Sequence, residues 1–172
     1  MDLTLIQRTF PFFLEAAWIT VQISVLALLL GLLVAFVLVA ARLSTVFLFR
    51  CLARIYDSVF RGTPCLVQLF IIYFGGPQIG LELEPFAAAV IGLGLNIAAY
   101  MAESIRGAIS NVDPGQEEAA RSIGFGRRQT LWLVTLPQAA KLMIRPLGVN
   151  AVALIKGSAL VSTISVVELS YT

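Results

Sequence analysis

Residues 16–41 contain no charged side chain, and this single feature most constrains how the chain can fold. At a rise of about 1.5 Å per residue, a helix of that length crosses a hydrocarbon layer of ~30 Å. Of the 172 residues, 59% are hydrophobic and 13% are charged; soluble domains carry about a quarter charged residues. We therefore predict an all-α integral membrane protein that forms one domain over residues 1–172.

Three further apolar segments predict a bundle of about four membrane spans. Residues 65–74 follow Pro64 and are too short to cross a bilayer alone, so we expect them to continue from the amphipathic residues before Arg61 or to be sheltered by other helices. Residues 85–102 carry no charge and predict the third span. Residues 142–167 predict a broken or kinked fourth span because four residues interrupt them, namely Arg145, Pro146, Lys156 and Gly157.

Basic residues are concentrated in two of the segments that connect these spans. The segment between spans two and three instead carries Glu82 and Glu84 and no lysine or arginine. Since basic residues favour cytoplasmic connections, we predict an external N-terminus and a cytoplasmic connection between spans three and four. The residues that carry this argument are Arg42, Arg50, Arg54 and Arg61 in the first connection, and Arg106, Arg121, Arg127, Arg128, Lys141 and Arg145 in the second.

The composition argues against catalysis by this chain. It has no histidine, the usual acid–base group near neutral pH and the commonest metal ligand. Cys51 and Cys65 show no metal-ligand spacing, and we interpret them as reduced packing residues. No GxxxxGK[ST] phosphate-binding motif is present. We therefore predict that the protein is not an enzyme, with no catalytic residues, no metal site and no nucleic-acid partner.

The connection between spans three and four contains a strong helix start. Asp113 can accept hydrogen bonds from the first backbone N–H groups, and Pro114 suits the first helical position. Glu117 lies in the first turn, where the helix dipole favours negative charge, and is spaced to pair with Arg121. The sequence therefore predicts a short helix that begins at Pro114.

A glycine turn and a second helix follow. Gly124 is placed to adopt the left-handed conformation that ends helices, residues 127–134 predict a second short helix, and Pro137 opens the next element. From the residues alone, two interpretations remain open. The connection either rests on the lipid surface as an amphipathic segment or docks onto a cytoplasmic partner.

Four ordered motifs resemble one protein family. Glu118-Ala119-Ala120, then Gly124, then Leu136-Pro137 resembles the EAA loop of the permease subunits of bacterial ABC importers, and we call residues 114–137 the EAA loop. The other three stretches are similar to the polar amino acid branch of that family: RGTPCLVQ at 61–68, AAYMAESIRGAI at 98–109 and KGSALVSTISVVEL at 156–169.

The resemblance implies a transmembrane subunit that moves a polar amino acid from an external binding protein to the cytoplasm. Its partners would be a second permease subunit, in a homodimer or heterodimer, and ABC ATPase subunits that hold ATP and Mg, so that this chain binds no cofactor. The expected location is the bacterial cytoplasmic (inner) membrane. The family normally has five spans, so the resemblance implies one more membrane helix at the C-terminal side than residues 1–172 provide.

The resemblance also implies that the EAA loop docks in a groove of the ATPase. The residues expected to dock are Glu118, Ala119, Ala120, Arg121, Gly124 and Pro137. Two other classes of protein remain as alternatives on the sequence, a membrane scaffold or assembly protein and a secondary carrier that needs no ATP.

Polar residues at membrane depth are the candidates for the substrate path, namely Asn96, Lys156, Ser158, Ser162 and Glu168. Asn96 has a structural alternative, a hydrogen bond between helices, and Lys156 has another, extension to the outer interface. Glu103 is expected to pair with Arg106 three residues on. The motif Arg61, Gly62, Thr63 and Pro64 is interpreted as the structural element that fixes the turn into span two.

Overall fold

The computed structural model describes residues 3–164, with side chains from Phe10 onward. Seven α-helices follow one another in this part of the chain: α1 (Leu3–Leu43), α2 (Phe47–Gly62), α3 (Cys65–Phe70), α4 (Pro85–Ser110), α5 (Pro114–Ser122), α6 (Arg127–Thr130) and α7 (Leu136–Gly157). Tighter or wider helical turns extend three of them: Ile71–Gly75 and Gly76–Ile79 after α3, Leu131–Thr135 after α6, and Ser158–Ile164 after α7. The prediction of an all-α fold is confirmed.

Within the described residues, three helical segments are long and apolar enough to cross a membrane: Phe10–Leu43, Pro85–Ser110 and Arg127–Ile164. A fourth crossing is formed if Phe47–Gly62 and Cys65–Ile79 act as one span, bent by 107°. The predicted bundle of about four spans is therefore confirmed. The bend lies at the predicted motif, because Gly62 ends α2 and Cys65 begins α3.

The last described span differs from its prediction. The second helix of the EAA loop does not end before the membrane, since residues 127–164 are helical throughout. The π-type turn Leu131–Thr135 keeps the chain helical up to α7, and Pro137 lies in the first turn of α7 directly after it. Pro146 lies inside α7 without ending it, and the expected interruption comes instead at Gly157, where the α-helix tightens.

The third span is also longer than predicted. The charge-free residues end at 102, yet α4 continues to Ser110. Two charged side chains in this extension, Glu103 and Arg106, pair with each other one turn apart. An ion pair of this kind stabilises a helix, so the first charged residue after position 102 does not mark the end of α4.

The centre of the bundle is the contact between α1 and α4. A Cβ atom placed on Gly31 would overlap Cγ2 of Ile97, and one placed on Gly94 would lie 2.8 Å from Cδ2 of Leu30. Both glycines therefore allow a backbone approach that no larger residue would permit. The opposite face of α1 is open, with large apolar side chains such as Leu33 and Phe36 more than half exposed, as lipid contact requires.

Gly31→Leu is expected to destabilise the bundle because the new side chain enters the space occupied by Ile97. Overpacking of this kind costs about 1–3 kcal/mol, and each kcal/mol lowers the unfolding temperature of a chain of this size by about 2–4 °C. Thermal unfolding in detergent measures the shift. The control is Gly148→Leu, since Gly148 on α7 has open space around it. Equal stability of both variants would contradict the packing described here.

Candidate functional site

The start of α5 agrees with its prediction. The carboxylate of Asp113 accepts a hydrogen bond from the backbone N–H of Gly115 at 2.8 Å, and Pro114 occupies the first turn. Glu117 and Arg121 form an ion pair one turn apart on the exposed side of the helix. A helix of only nine residues is marginal by itself, so these local contacts matter for its formation.

The end of α5 is fixed by a pair of backbone hydrogen bonds. The N–H of Phe125 donates to the carbonyl of Ala120 at 3.1 Å, and the N–H of Gly124 donates to that of Arg121 at 3.0 Å. This is the pairing of a Schellman motif, which requires a left-handed residue at the turn. Gly124 supplies it with a φ of 91°. The predicted glycine turn is confirmed.

The remainder of the EAA loop is closed by side-chain contacts. Gln129 accepts a hydrogen bond from the N–H of Gly126 at 3.0 Å, which begins α6. Thr130 is buried and donates to the carbonyl of Gly126 at 3.2 Å. Across the loop, the amide of Gln138 donates to that of Gln116 at 3.2 Å, and this bond joins the first turn of α7 to α5. The EAA loop is thus a closed unit attached to the start of the last span.

Most of the predicted docking residues lie on the surface of this unit. Ala120 is the exception, with only 4% of its surface exposed, and it packs inside the loop. Sequence reasoning missed Ile123, which is 73% exposed beside the glycine turn. The sequence feature that could have identified Ile123 is its place as an aliphatic residue between a charged helix and two glycines. The exposed members of the predicted set are Glu118, Ala119, Arg121, Gly124 and Pro137.

A cluster of five charged residues joins the ends of α1, α2 and α4. Arg42 forms an ion pair with the buried Asp57, and Glu103 forms the predicted pair with Arg106. Glu103 also lies 3.6 Å from the guanidinium of Arg42 and 3.7 Å from that of Arg61. These contacts place the ends of the three helices on one side of the bundle. The role of Asp57 was missed, although it is the one acidic residue of α2.

A second polar group lies at the bend between α2 and α3. Asn96 on α4 donates to the side-chain oxygen of Gln68 at 2.9 Å and to the carbonyl of Phe60 at 3.3 Å. The structure therefore shows the hydrogen bond between helices that was the structural alternative for Asn96. The sequence analysis did not predict a role for Gln68. The feature that could have identified it is its position as the one polar residue among the apolar residues 65–72.

The other candidates for the substrate path lie at the end of the last span. Lys156 is exposed on the surface of this chain. Ser158 is buried and donates to the carbonyl of Ile155 at 2.7 Å, and Ser162 donates to that of Ala159 at 2.8 Å, so both hydroxyls bond within their own helical turns. Glu168 lies outside the described residues.

Several apolar spans and an exposed, helical connecting loop define a multi-pass membrane protein. Residues 27–168 match the family described as binding-protein-dependent transport system inner membrane component, and the chain belongs to this family. Its members are the permease subunits of ABC importers, in which separate subunits hydrolyse ATP, so this chain is non-catalytic.

Individual relatives are also named as permease proteins. The chain is 42% identical over 162 residues to the probable amino-acid ABC transporter permease protein YckA of Bacillus subtilis, across 94% of this chain and 72% of that protein. It is 44% identical over 156 residues to the arginine transport system permease protein ArtQ of the same organism, across 90% and 71%.

Among solved structures, a crystal structure of an amino acid ABC transporter with histidines contains a similar chain. The two superpose with a TM-score of 0.95 at 36% identity, across 99% of this chain and 80% of that one. A chain of the MetNI methionine ABC transporter in an inward-facing conformation shares the fold, with a TM-score of 0.76 at 20% identity, across 99% and 81%.

Asp113→Ala is expected to loosen the start of α5 because the N–H of Gly115 loses its acceptor. Loss of such a cap costs about 1 kcal/mol, which raises the hydrogen-exchange rate of the first-turn amides by roughly fivefold. Mass spectrometry of exchange in peptides covering residues 114–122 measures the effect. Asp113→Asn keeps an acceptor oxygen and should exchange at the wild-type rate. Unchanged exchange in the alanine variant would show that the cap does not hold this helix.

Proposed function

We propose that the chain is the permease subunit of an ATP-driven importer for a polar amino acid in the bacterial cytoplasmic membrane. It receives its substrate from an external binding protein, pairs with a second permease subunit and passes the amino acid to the cytoplasm. The observation that carries this proposal is the closed, exposed EAA loop that continues without interruption into a membrane span. The names of the relatives as amino-acid permeases support the substrate class.

The loop docks on an ABC ATPase subunit, which holds ATP and Mg, and this chain binds no cofactor. The exposed surface around the glycine turn combines an apolar centre, Ile123 and Ala119, with charged neighbours, Glu118 and Arg121. An apolar centre with a polar rim is the usual composition of a protein interface. The left-handed Gly124 lets the partner approach the backbone because no side chain covers it.

Movement of the ATPase reaches the pore through the continuous helix. Residues 127–164 are helical, so a displacement of the loop is transmitted along a stiff rod into the membrane. The hydrogen bond between Gln116 and Gln138 makes α5 and the start of this rod move together. A side-chain bond from Asn150 to Ser104, 2.9 Å long, then connects the rod to α4.

Lys156 is the strongest candidate for contact with the substrate. Its side chain is exposed on this chain and lies at the end of α7, near membrane depth, where an unpaired ammonium group is costly unless it meets an anion. The carboxylate of an amino acid is such an anion. Asn96 fits a packing role better, because its amide already donates to Gln68 and Phe60.

Glu118→Lys and Gly124→Asp are expected to weaken docking on the ATPase by tenfold or more, since every ~1.4 kcal/mol lost at an interface is tenfold in affinity. Co-purification of the ATPase and ATP-driven uptake in proteoliposomes measure the loss. Glu82→Lys and Gly80→Asp make the same chemical changes away from the EAA loop and should leave docking intact, since Gly80 is also a left-handed glycine with open space around it. Wild-type docking and uptake in both loop variants would refute the coupling proposal.

Lys156→Gln is expected to reduce uptake of the amino acid by about tenfold or more, because a hydrogen bond to the charged carboxylate of the substrate, worth about 1.5–3 kcal/mol, is lost, while the ATPase subunits still co-purify. Uptake assays with the cognate binding protein, screened across basic, acidic and amide-bearing amino acids, identify the substrate and measure the loss. Lys141→Gln removes a cation from the first turns of α7 and serves as the control. Normal uptake by the Lys156 variant would exclude it from the substrate path.

A further inference from the structure

We propose that Gln68 and Asn96 form a polar clamp that sets the angle of the bent span and positions α3 against α4. The clamp is defined by these two residues and the backbone that they bind, at the junction of α2 and α3. It lies apart from the EAA loop.

The need for a clamp arises from Pro64. In a continuous helix the N–H of residue 64 would bond to the carbonyl of Phe60, but proline has no N–H. The residue before a proline is also driven to extended conformation, and Thr63 has a φ of −117° and a ψ of 145°. The carbonyls of Phe60 and Thr63 therefore lose their helical partners, and in a membrane span no bulk water replaces them.

Gln68 supplies the missing donors. Its side-chain nitrogen lies 3.0 Å from the carbonyl of Phe60, 3.0 Å from the carbonyl of Thr63 and 2.7 Å from the hydroxyl of Thr63, so its two N–H groups serve three acceptors and one N–H is shared. Gln68 lies on α3 and is 7% exposed, whereas Phe60 lies in the last turn of α2. One buried amide thus bonds both sides of a 107° bend.

Asn96 fixes the orientation of that amide. It donates to the side-chain oxygen of Gln68 at 2.9 Å, and it adds a second donor to the carbonyl of Phe60 at 3.3 Å. If the amide of Gln68 turned over, its oxygen would face three acceptor oxygens and its nitrogen would face the donor of Asn96. Asn96 therefore acts through Gln68, and it ties the bend to α4.

Apolar packing beside the clamp also fixes how α3 is placed on α4. A Cβ atom on Gly92 would lie 2.6 Å from Cδ2 of Leu69, so the side chain of Leu69 occupies the space above this glycine of α4. Leu69 is fully buried and follows Gln68 in the sequence. The clamp and this contact together fix the position of α3 along α4.

The clamp also assigns a role to the interruption itself. The carbonyls at a broken membrane helix bind ions or substrates in some transporters, but here the carbonyls of Phe60 and Thr63 accept hydrogen bonds from side chains of the protein. The bend is therefore a fixed structural joint, and in the proposed permease α3 moves together with α4. This last statement rests on the proposed function; the geometry of the clamp does not.

Distances between spin labels test the geometry. Labels at residues 47 and 79, both on exposed positions at the two ends of the bent span, are introduced with Cys51→Ala and Cys65→Ala in the assembled transporter in lipid nanodiscs. Gln68→Leu should broaden the distance distribution toward the longer values of a straighter helix. Asn150→Leu is the matched control, because it removes an amide bond to the same α4 away from the bend.

Asn96→Leu should broaden the distribution in the same direction. The double variant Gln68→Leu/Asn96→Leu should broaden it by less than the sum of the two single effects, because one of the two bonds of Asn96 acts through Gln68 and only the other reaches Phe60 directly. An unchanged distribution in Gln68→Leu, or additive effects in the double variant, would overturn the clamp. If Gln68→Leu does not fold, Asn96→Ala keeps the three bonds of Gln68 and must still broaden the distribution.

A functional readout separates a positioning role from a general loss of stability. In proteoliposomes, Gln68→Leu should lower the amount of amino acid imported per ATP hydrolysed, because α3 is no longer held in one position against α4, while the amount of assembled transporter stays constant. An unchanged ratio would overturn the positioning role. If the wild-type transporter imports no amino acid, the proposed function fails, and the label distances still decide the clamp.

Discussion

Backbone polar groups at membrane depth have no water to bind, and the arrangement of this protein follows from that constraint. Most of the described chain satisfies it locally, through helices long enough to cross a membrane. Within the described spans, the sharp bend at residues 62–65 is the place where local hydrogen bonds are insufficient, because Pro64 removes a donor. There the chain uses the buried amide of Gln68 instead. A hydrocarbon surrounding thus explains both the long helices and the position of a polar residue inside them.

The sequence predicted those parts of the molecule whose cause is local. The charge-free residues 16–41 indicated the first span, and Asp113 and Pro114 indicated the start of α5, because a helix cap depends on neighbouring residues. Gly124 was predicted as a left-handed turn for the same reason. The EAA loop is almost entirely a product of contacts within a few residues, so its geometry was the most predictable part of the candidate site.

The sequence did not predict features that depend on distant residues. The pairing of Arg42 with Asp57 and of Gln68 with Asn96 joins different helices, and spacing along the chain does not show which polar side chains will meet. The continuity of residues 127–164 was missed because Pro137 and Pro146 suggested boundaries. Pro137 directly follows the π-type turn Leu131–Thr135, and Pro146 lies inside α7, which contacts α4.

Helix α4 is the element on which the separate polar contacts converge. It packs closely on α1 through Gly31 and Gly94, receives the bent span through Asn96, and bonds to the last span through Ser104. The EAA loop is joined to that last span by a side-chain bond and by a continuous helix. The loop is therefore connected to α4 through the bond between Gln116 and Gln138, the helical residues 127–164 and the bond between Asn150 and Ser104. The bent span is clamped to the same helix, so α3 moves with α4 instead of bending independently.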